Sequence, residues 1–173
     1  MNMSIPLTDL RGYLANEFSA LRTRALRTKL WNKLMGKNTG LARFPEGTFQ
    51  TGLNRKMLGL SDIPVEKIGG TLYRHSDFDS EFRPLKKHLR DRWVNIYLLH
   101  ASQGWPPILV HKVGDLYYVE DGHHRVSVAH ALGIVFIQAM IWEYPDPDKP
   151  TKKCAIVTCK ETSAVRKYVT ASD

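Results

Sequence analysis

This chain of 173 residues has only two cysteines and no long hydrophobic run. Cys154 and Cys159 form a single C-x4-C pair. Because structural zinc takes four ligands, such a pair makes a poor zinc site, and two reduced thiols without a special role are the favoured interpretation. No apolar segment approaches the ~20 residues that span a bilayer, and the N-terminus lacks the charged start and apolar centre of a secretory signal. We therefore expect a cytoplasmic protein without a membrane partner.

Acidic residues are scarce at the start of the chain. The first 50 positions hold eight Lys/Arg residues and three acids, and the whole chain has a net charge of +8. A hydrophobic content of 43% is enough to build a core. The uneven charge therefore indicates a basic N-terminal arm on a folded domain.

Residues Thr8 to Met35 are predicted to form a long amphipathic helix that ends near Gly36. Its apolar stripe consists of Leu10, Leu14, Phe18, Leu21 and Ala25, extended by Leu30 and Leu34. The basic side chains lie mostly off this stripe, and the candidate nucleic-acid contacts are Arg22, Arg24, Arg27, Lys29 and Lys33. Two interpretations stay open: a docked helix with a solvated basic face, or an arm that contacts nucleic acid.

Four segments are predicted along the chain. They are a basic helical arm at 1–40, a linker at 41–61, an α/β domain at 62–150 and a C-terminal extension at 151–173. Within the domain, apolar periodicity and turn residues predict strands and helices. These are a strand at 63–68 ended by Gly69-Gly70, a helix from about Phe82 to His100, strands at 107–113 and 116–120 joined by a Gly114-Asp115 turn, a helix after Gly122 and a strand at 137–143. The extension is expected to add a strand at 155–158 and a short helix. The fold class is α/β, with a small mixed sheet and helices, preceded by the long basic helix.

The stretch at 116–133, LYYVEDGHHRVSVAHALG, is the most informative part of the sequence. Its aromatic and β-branched start indicates a strand, and Asp121 is a candidate cap for the helix that follows. Gly122 lets a ligand approach the backbone closely. His123, His124 and Arg125 then fall in the first helical turn, where free N–H groups and the helix dipole attract anions. The residues thus suit either a phosphate site or an ordinary polar helix start.

This stretch resembles the signature of the ParB/sulfiredoxin superfamily over about residues 62–144. The family's first strand is matched by Ile63-Pro64-Val65-Glu66-Lys67-Ile68, and its P-I-x-V strand by residues 106–110. Where ParB proteins have Gly-Glu-Arg-Arg and sulfiredoxins Gly-Cys-His-Arg, this chain has Gly122-His123-His124-Arg125. Since His123 stands at the position of the catalytic cysteine, sulfiredoxin chemistry is not expected. Asp-Gly-His-His-Arg is similar to the loop of the free-serine kinases of this superfamily.

The resemblance implies a ParB/sulfiredoxin-like fold and a protein that binds a nucleoside triphosphate or diphosphate, with Mg²⁺ as a candidate companion. The first interpretation is a nucleotide- or phosphate-binding ParB-like domain that works with nucleic acid, with DNA reached through the arm and a homodimer as a candidate assembly. The alternatives are a small-molecule kinase of the free-serine-kinase type and a non-catalytic scaffold. No helix-turn-helix is apparent after residue 144, which argues against centromere-type sequence recognition.

The candidate site residues follow from the signature and from the resemblance. The nucleotide- or phosphate-binding set is Asp121, Gly122, His123, His124, Arg125 and, because the resemblance places its segment opposite the signature loop, Arg74. The candidate catalytic residues are His124 and Glu66; a solvated position is the alternative for Glu66. No metal ligands are assigned, since adjacent helical histidines point about 100° apart. For Asp121, capping a helix, holding a histidine tautomer and binding Mg²⁺ all stay open.

Overall fold

The computed structural model describes residues 7–37, 40–45 and 55–145. Most of the predicted linker and the whole C-terminal extension, with Cys154, Cys159 and the expected strand and helix there, lie outside these ranges. The division into four segments stays a prediction. No helix in the described ranges is long and apolar enough to cross a membrane.

A single helix, α1, covers Leu7–Leu34, one residue earlier at each end than predicted. The first part of the apolar stripe packs into the core, where Leu14, Phe18 and Ala25 are buried. Its extension was wrong, because Leu30 and Leu34 are 63% and 73% exposed. The apolar side chains at this end of α1 are therefore exposed rather than packed in the core.

The domain contains six strands in one mixed sheet, ordered β1-β3-β5-β4-β6-β2. The strands are β1 (Ala42–Arg43), β2 (Lys56–Pro64), β3 (Ile68–Thr71), β4 (Ile108–Val113), β5 (Leu116–Asp121) and β6 (Phe136–Tyr144). The further helices are α2 (Arg90–Gln103) and α3 (His123–Leu132), and 3-10 turns occupy Val65–Lys67 and Lys87–Leu89. The α/β class, with a small mixed sheet behind a long N-terminal helix, is confirmed.

The β4–β5 hairpin, the strand at β6 and helix α3 agree with the sequence pattern, and Gly133 ends α3 with a φ of 67°. Three other expectations were wrong. The single strand at 63–68 is divided between β2, a 3-10 turn and β3, and Gly69-Gly70 belongs to β3 rather than ending it. The segment expected as a linker contains most of β2, which pairs antiparallel with β6. Phe82 and Leu85 precede α2 instead of opening it.

Hydrophobic side chains cover both faces of the sheet. The three helices pack on one face, where the ring centroids of Phe18 and Trp93 are 5.9 Å apart and the Trp93 indole N–H donates to Ser127 Oγ at 3.1 Å. A smaller cluster covers the other face: Phe44, Val113, Tyr118 and Tyr144. The candidate functional site lies at the edge where β3 and β5 end beside α3.

The segment between β3 and α2 is held by a buried ion pair. Arg83 Nε donates to Asp79 Oδ2 at 2.8 Å, and Asp79 Oδ1 accepts from the backbone N–H groups of Glu81 and Arg83. Because the carboxylate is satisfied on three sides, it fixes a tight loop. The neighbouring Phe78 is fully buried as a result, and it packs on the first turn of α3.

Candidate functional site

A pocket of about 320 Å³ opens where β3 and β5 end, between the start of α3 and one side of α2. β3 and β5 are parallel neighbours, so their C-terminal ends meet at one edge of the sheet. Such edges are the usual ligand-binding place in open α/β sheets. The lining residues are Tyr73, Arg74, Arg92, Ile96, Glu120, Asp121, Gly122, His123, His124 and Arg125. The structure therefore brings together all six residues of the predicted phosphate-binding set.

The first turn of α3 presents free backbone N–H groups. The first bond of the helix is from the N–H of Val126 to the carbonyl of Gly122 at 3.0 Å, so the three preceding N–H groups have no partner within the helix. Gly122 is the N-cap, with a φ of 107° and no side-chain capping bond. The capping role considered for Asp121 was wrong, because its carboxylate instead accepts from Arg125.

His123 is fixed by Thr71 and Phe78. Its Nε2 lies 2.6 Å from Thr71 Oγ1, and its ring is stacked on Phe78 with the centroids 6.1 Å apart. Thr71 Oγ1 also accepts from the N–H groups of Tyr73 and Arg74, and the hydroxyl donates to Val119 O at 3.4 Å. These bonds anchor the threonine and hold the His123 ring in place beside it. Burial, reinforced by the charge of Arg74, lowers the pKa of His123 to about 4.

His124 is buried without a hydrogen bond. The residue is 6% exposed, and neither ring nitrogen has a hydrogen-bond partner among the described residues. Phe78 contacts the ring edge-on at 5.5 Å between centroids. Burial and the positive charge of Arg92 lower the pKa of His124 to about 4. A neutral imidazole with one unused donor and one unused acceptor therefore lines the pocket.

Arg125 does not offer a free guanidinium fork to the pocket, because its donors are engaged within the protein. The residue is only 8% exposed, and its Nη1 donates to the carbonyls of Pro106 and Pro107 at 2.7 and 2.8 Å. Nη2 forms an ion pair with Asp121. The two carbonyls belong to the residues just before β4, which therefore lie against this side chain. These bonds join the segment before β4 to α3, and Arg125 also lines the pocket.

Two other arginines are better placed to meet an anion. Arg74 has a side chain that is 45% exposed and a loose contact of 3.5 Å to Asp77. Arg92 is exposed on α2, and its charge is close enough to lower the pKa of His124. The sequence identified Arg74 only through the family resemblance and gave no indication of Arg92, which looks like an ordinary surface residue of α2.

Glu66 is not brought to the pocket. It is exposed in the 3-10 turn after β2, and the adjacent Val65 N–H donates to Val135 O, just beyond the C-terminal end of α3. The pocket lies at the opposite end of this ten-residue helix, about 15 Å away along the axis. The carboxylates that line the pocket belong to Glu120 and Asp121. The described ranges contain no group of three or more His, Cys, Asp or Glu side chains that could hold a metal ion.

The candidate nucleic-acid residues are placed in two ways. Arg22 is directed at the domain, and its Nε donates to Leu85 O at 3.1 Å. The other four are exposed on α1: Arg24, Arg27, Lys29 and Lys33. Helical spacing puts Arg24 with Arg27 on one flank of the buried stripe and Lys29 with Lys33 on the other. A nucleic-acid role for them stays a prediction.

A comparison with solved structures finds a partial similarity, covering half of the chain. A structure of sulfiredoxin from Arabidopsis thaliana is similar, with 24% sequence identity, a TM-score of 0.39 and coverage of 50% of this chain and 86% of that one. No protein-family model matches the chain, and no curated protein matches it in a sequence search.

Proposed function

We propose that this protein binds a phosphorylated small molecule of the nucleotide class in the pocket at the start of α3. The observation that carries the proposal is His124, whose two ring nitrogens are buried without partners among the described residues. Buried polar atoms in folded proteins are nearly always hydrogen-bonded, and each one left unpaired costs about 1–3 kcal/mol. A bound ligand that accepts from one nitrogen and donates to the other would remove this cost.

The charge around His124 favours an anion. The free N–H groups and positive dipole end of α3 face the pocket, and Arg74 and Arg92 contribute cationic side chains. The charge of Arg125 is offset by its ion pair with Asp121. With about 320 Å³, the pocket is at the small end of the range for small-molecule sites, which fits a phosphate group and part of what it is attached to.

Replacing His124 with leucine tests the proposal. The variant His124→Leu removes both unpaired nitrogens at similar volume, so we expect the free energy of unfolding of the ligand-free protein to rise by about 1–3 kcal/mol. The same change should abolish the stabilisation of wild type by nucleoside triphosphates or pyrophosphate in a thermal-shift titration. Opposite effects on stability and binding are typical of a side chain kept for its ligand.

A matched control is His100→Leu, which makes the same chemical change at an exposed position outside the pocket. It should leave both ligand-induced stabilisation and the rank order of the ligands unchanged. Wild-type protein that none of ATP, CTP, GTP, UTP or pyrophosphate stabilises, with or without Mg²⁺, would contradict the proposal. So would a His124→Leu protein that binds as wild type does.

Phosphoryl transfer is a separate matter from binding. A histidine with a pKa near 4 is a weak base at neutral pH, and Glu66, the other candidate base, lies at the far end of α3. Neither candidate base, His124 or Glu66, therefore supports the kinase alternative, which stays a prediction. The binding proposal does not depend on it.

Nucleic-acid contact through α1 is a second candidate function. The observation that favours it is a stretch from residue 18 to residue 45 that contains no acid. If one flank of α1 contacts duplex DNA, the paired variant Arg24→Gln/Arg27→Gln or Lys29→Gln/Lys33→Gln should reduce the slope of log K against log salt by about 2, because two fewer counterions are released.

Point variants are preferred here to deletion of the arm, since deletion would remove the buried Leu14 and Phe18 from the core. The exposed pair Lys67→Gln/Lys87→Gln is the control for a general loss of charge. Equal slopes for all three paired variants and wild type, measured by fluorescence anisotropy, would remove α1 from the DNA surface.

A further inference from the structure

Glu120 differs from the other carboxylate in the pocket. Asp121 is engaged by Arg125, whereas Glu120 has a histidine as its partner. Glu120 Oε2 lies 2.5 Å from His111 Nε2, and the Glu120 side chain is 36% exposed at the pocket wall. An anion-binding pocket thus contains an acid whose charge is not cancelled by an arginine.

The partner of Glu120 is rigidly held. His111 is 3% exposed on β4, its Nδ1 lies 3.1 Å from the Tyr144 hydroxyl, and Phe44 packs edge-on against its ring at 5.7 Å. An ionised carboxylate can only accept hydrogen bonds, so Nε2 carries a proton and donates it to Oε2. His111, held in turn by Tyr144, therefore fixes Oε2 of Glu120. The other carboxylate oxygen, Oε1, is not bonded to His111 and can accept from a ligand.

A fixed acceptor beside a cluster of donors restricts which ligand fits. The donors near His124, Arg74 and Arg92 suit phosphate oxygens, but a carboxylate repels a second anion unless a hydrogen-bond donor stands between them. In inorganic phosphate and pyrophosphate the only such donor at neutral pH is a P–OH group, which brings the anionic charge itself against the carboxylate. A sugar phosphate instead has hydroxyl groups set apart from its phosphate, and these donate to carboxylates.

We propose that Glu120, positioned by His111, accepts a hydrogen bond from a sugar hydroxyl of the bound phosphate ester, and so selects ribonucleotides over pyrophosphate and over nucleotides without sugar hydroxyls. This inference rests on the proposed function and specifies its ligand. In this proposal the donors near His124, Arg74 and Arg92 bind the phosphate, and Glu120 binds the sugar.

The experiment compares three kinds of probe by thermal shift and calorimetry: ATP, CTP, GTP and UTP, their 2′,3′-dideoxy analogues, and pyrophosphate. Wild type should bind at least one ribonucleotide about tenfold or more tightly than its dideoxy analogue, as expected for a hydrogen bond to a charged group. In Glu120→Gln this ratio should fall to a few-fold or less. Pyrophosphate should bind the variant at least as tightly as wild type, because the repelling charge is gone.

Glu143→Gln is the matched control. Glu143 is 37% exposed, similar to Glu120, and it pairs with Lys112 at 2.7 Å outside the pocket. The Glu143→Gln variant should keep the wild-type ratio of ribonucleotide to dideoxynucleotide affinity. If wild type binds pyrophosphate but does not distinguish ribonucleotides from dideoxynucleotides, the assignment of Glu120 is wrong while the anion site stands. An unchanged ratio in Glu120→Gln also overturns it, and failure of every probe to bind wild type overturns both proposals.

Discussion

Alanine at position 122 is expected to destabilise the protein by several kcal/mol and to abolish ligand binding. Gly122 has a φ of 107°, which side chains rarely adopt, and this costs about 1–3 kcal/mol for alanine. A Cβ atom there would lie 2.8 Å from Ile108 Cβ and closer still to its Cγ2. Because Ile108 is fully buried, it cannot move aside, and crowding adds about 1–3 kcal/mol. Urea unfolding measures the loss.

The other glycine of α3 provides the comparison. Gly133 also has a positive φ, 67°, but a Cβ there would meet nothing within 4 Å. Gly133→Ala should therefore cost only about 1–2 kcal/mol, from backbone conformation alone, and should leave the pocket intact. Equal destabilisation by the two variants would show that the contact with Ile108 does not matter, and a Gly122→Ala protein of wild-type stability would contradict the geometry of the loop.

Acidification from pH 7 to pH 4 is expected to lower the free energy of unfolding steeply. His123 and His124 have pKa values of about 4 in the folded protein, against 6.5 for an ordinary histidine. Between these values the unfolded chain binds more protons, so stability is greatest above pH 6.5 and is lost as the pH falls through about 4. Each histidine contributes on the order of 3 kcal/mol to this loss. The pKa of His130 is also lowered by burial, which adds to the loss in the same direction.

Urea unfolding at half-unit steps of pH would measure this dependence. His124→Leu should flatten the curve between pH 6.5 and 4 by the share of one histidine. His100→Gln, which removes an exposed ring, is the control. Stability that stays level from pH 6.5 to 4.5 in wild type would mean that the two rings are not buried in the neutral form. Asp77, whose pKa is lowered by its contacts with Lys86 and Arg74 against the effect of burial, adds its own loss only below pH 3.8.

Local pattern alone was sufficient for several elements. The β4–β5 hairpin needs only the two-residue turn at Gly114-Asp115 between alternating strands. Helix α3 needs the glycine before it and Gly133 after it. These features depend on neighbours within a few residues, so the sequence was able to predict them, together with the position of residues 121–125 at the start of one helix.

The sequence by itself therefore determined the α/β class, the long first helix and the position of the candidate site. Only the tertiary structure decided which polar groups in that site are available. The Arg125 guanidinium is occupied by carbonyls 18 and 19 residues away, and the Glu120 carboxylate is held by His111 from the neighbouring strand. Strand β2 likewise exists because it pairs with β6, about 80 positions later in the chain. Hydrogen bonds of this kind join residues that are far apart along the chain. Periodicity does not encode them, and only the folded chain shows that Arg92 joins His124 and Arg74 in lining the pocket.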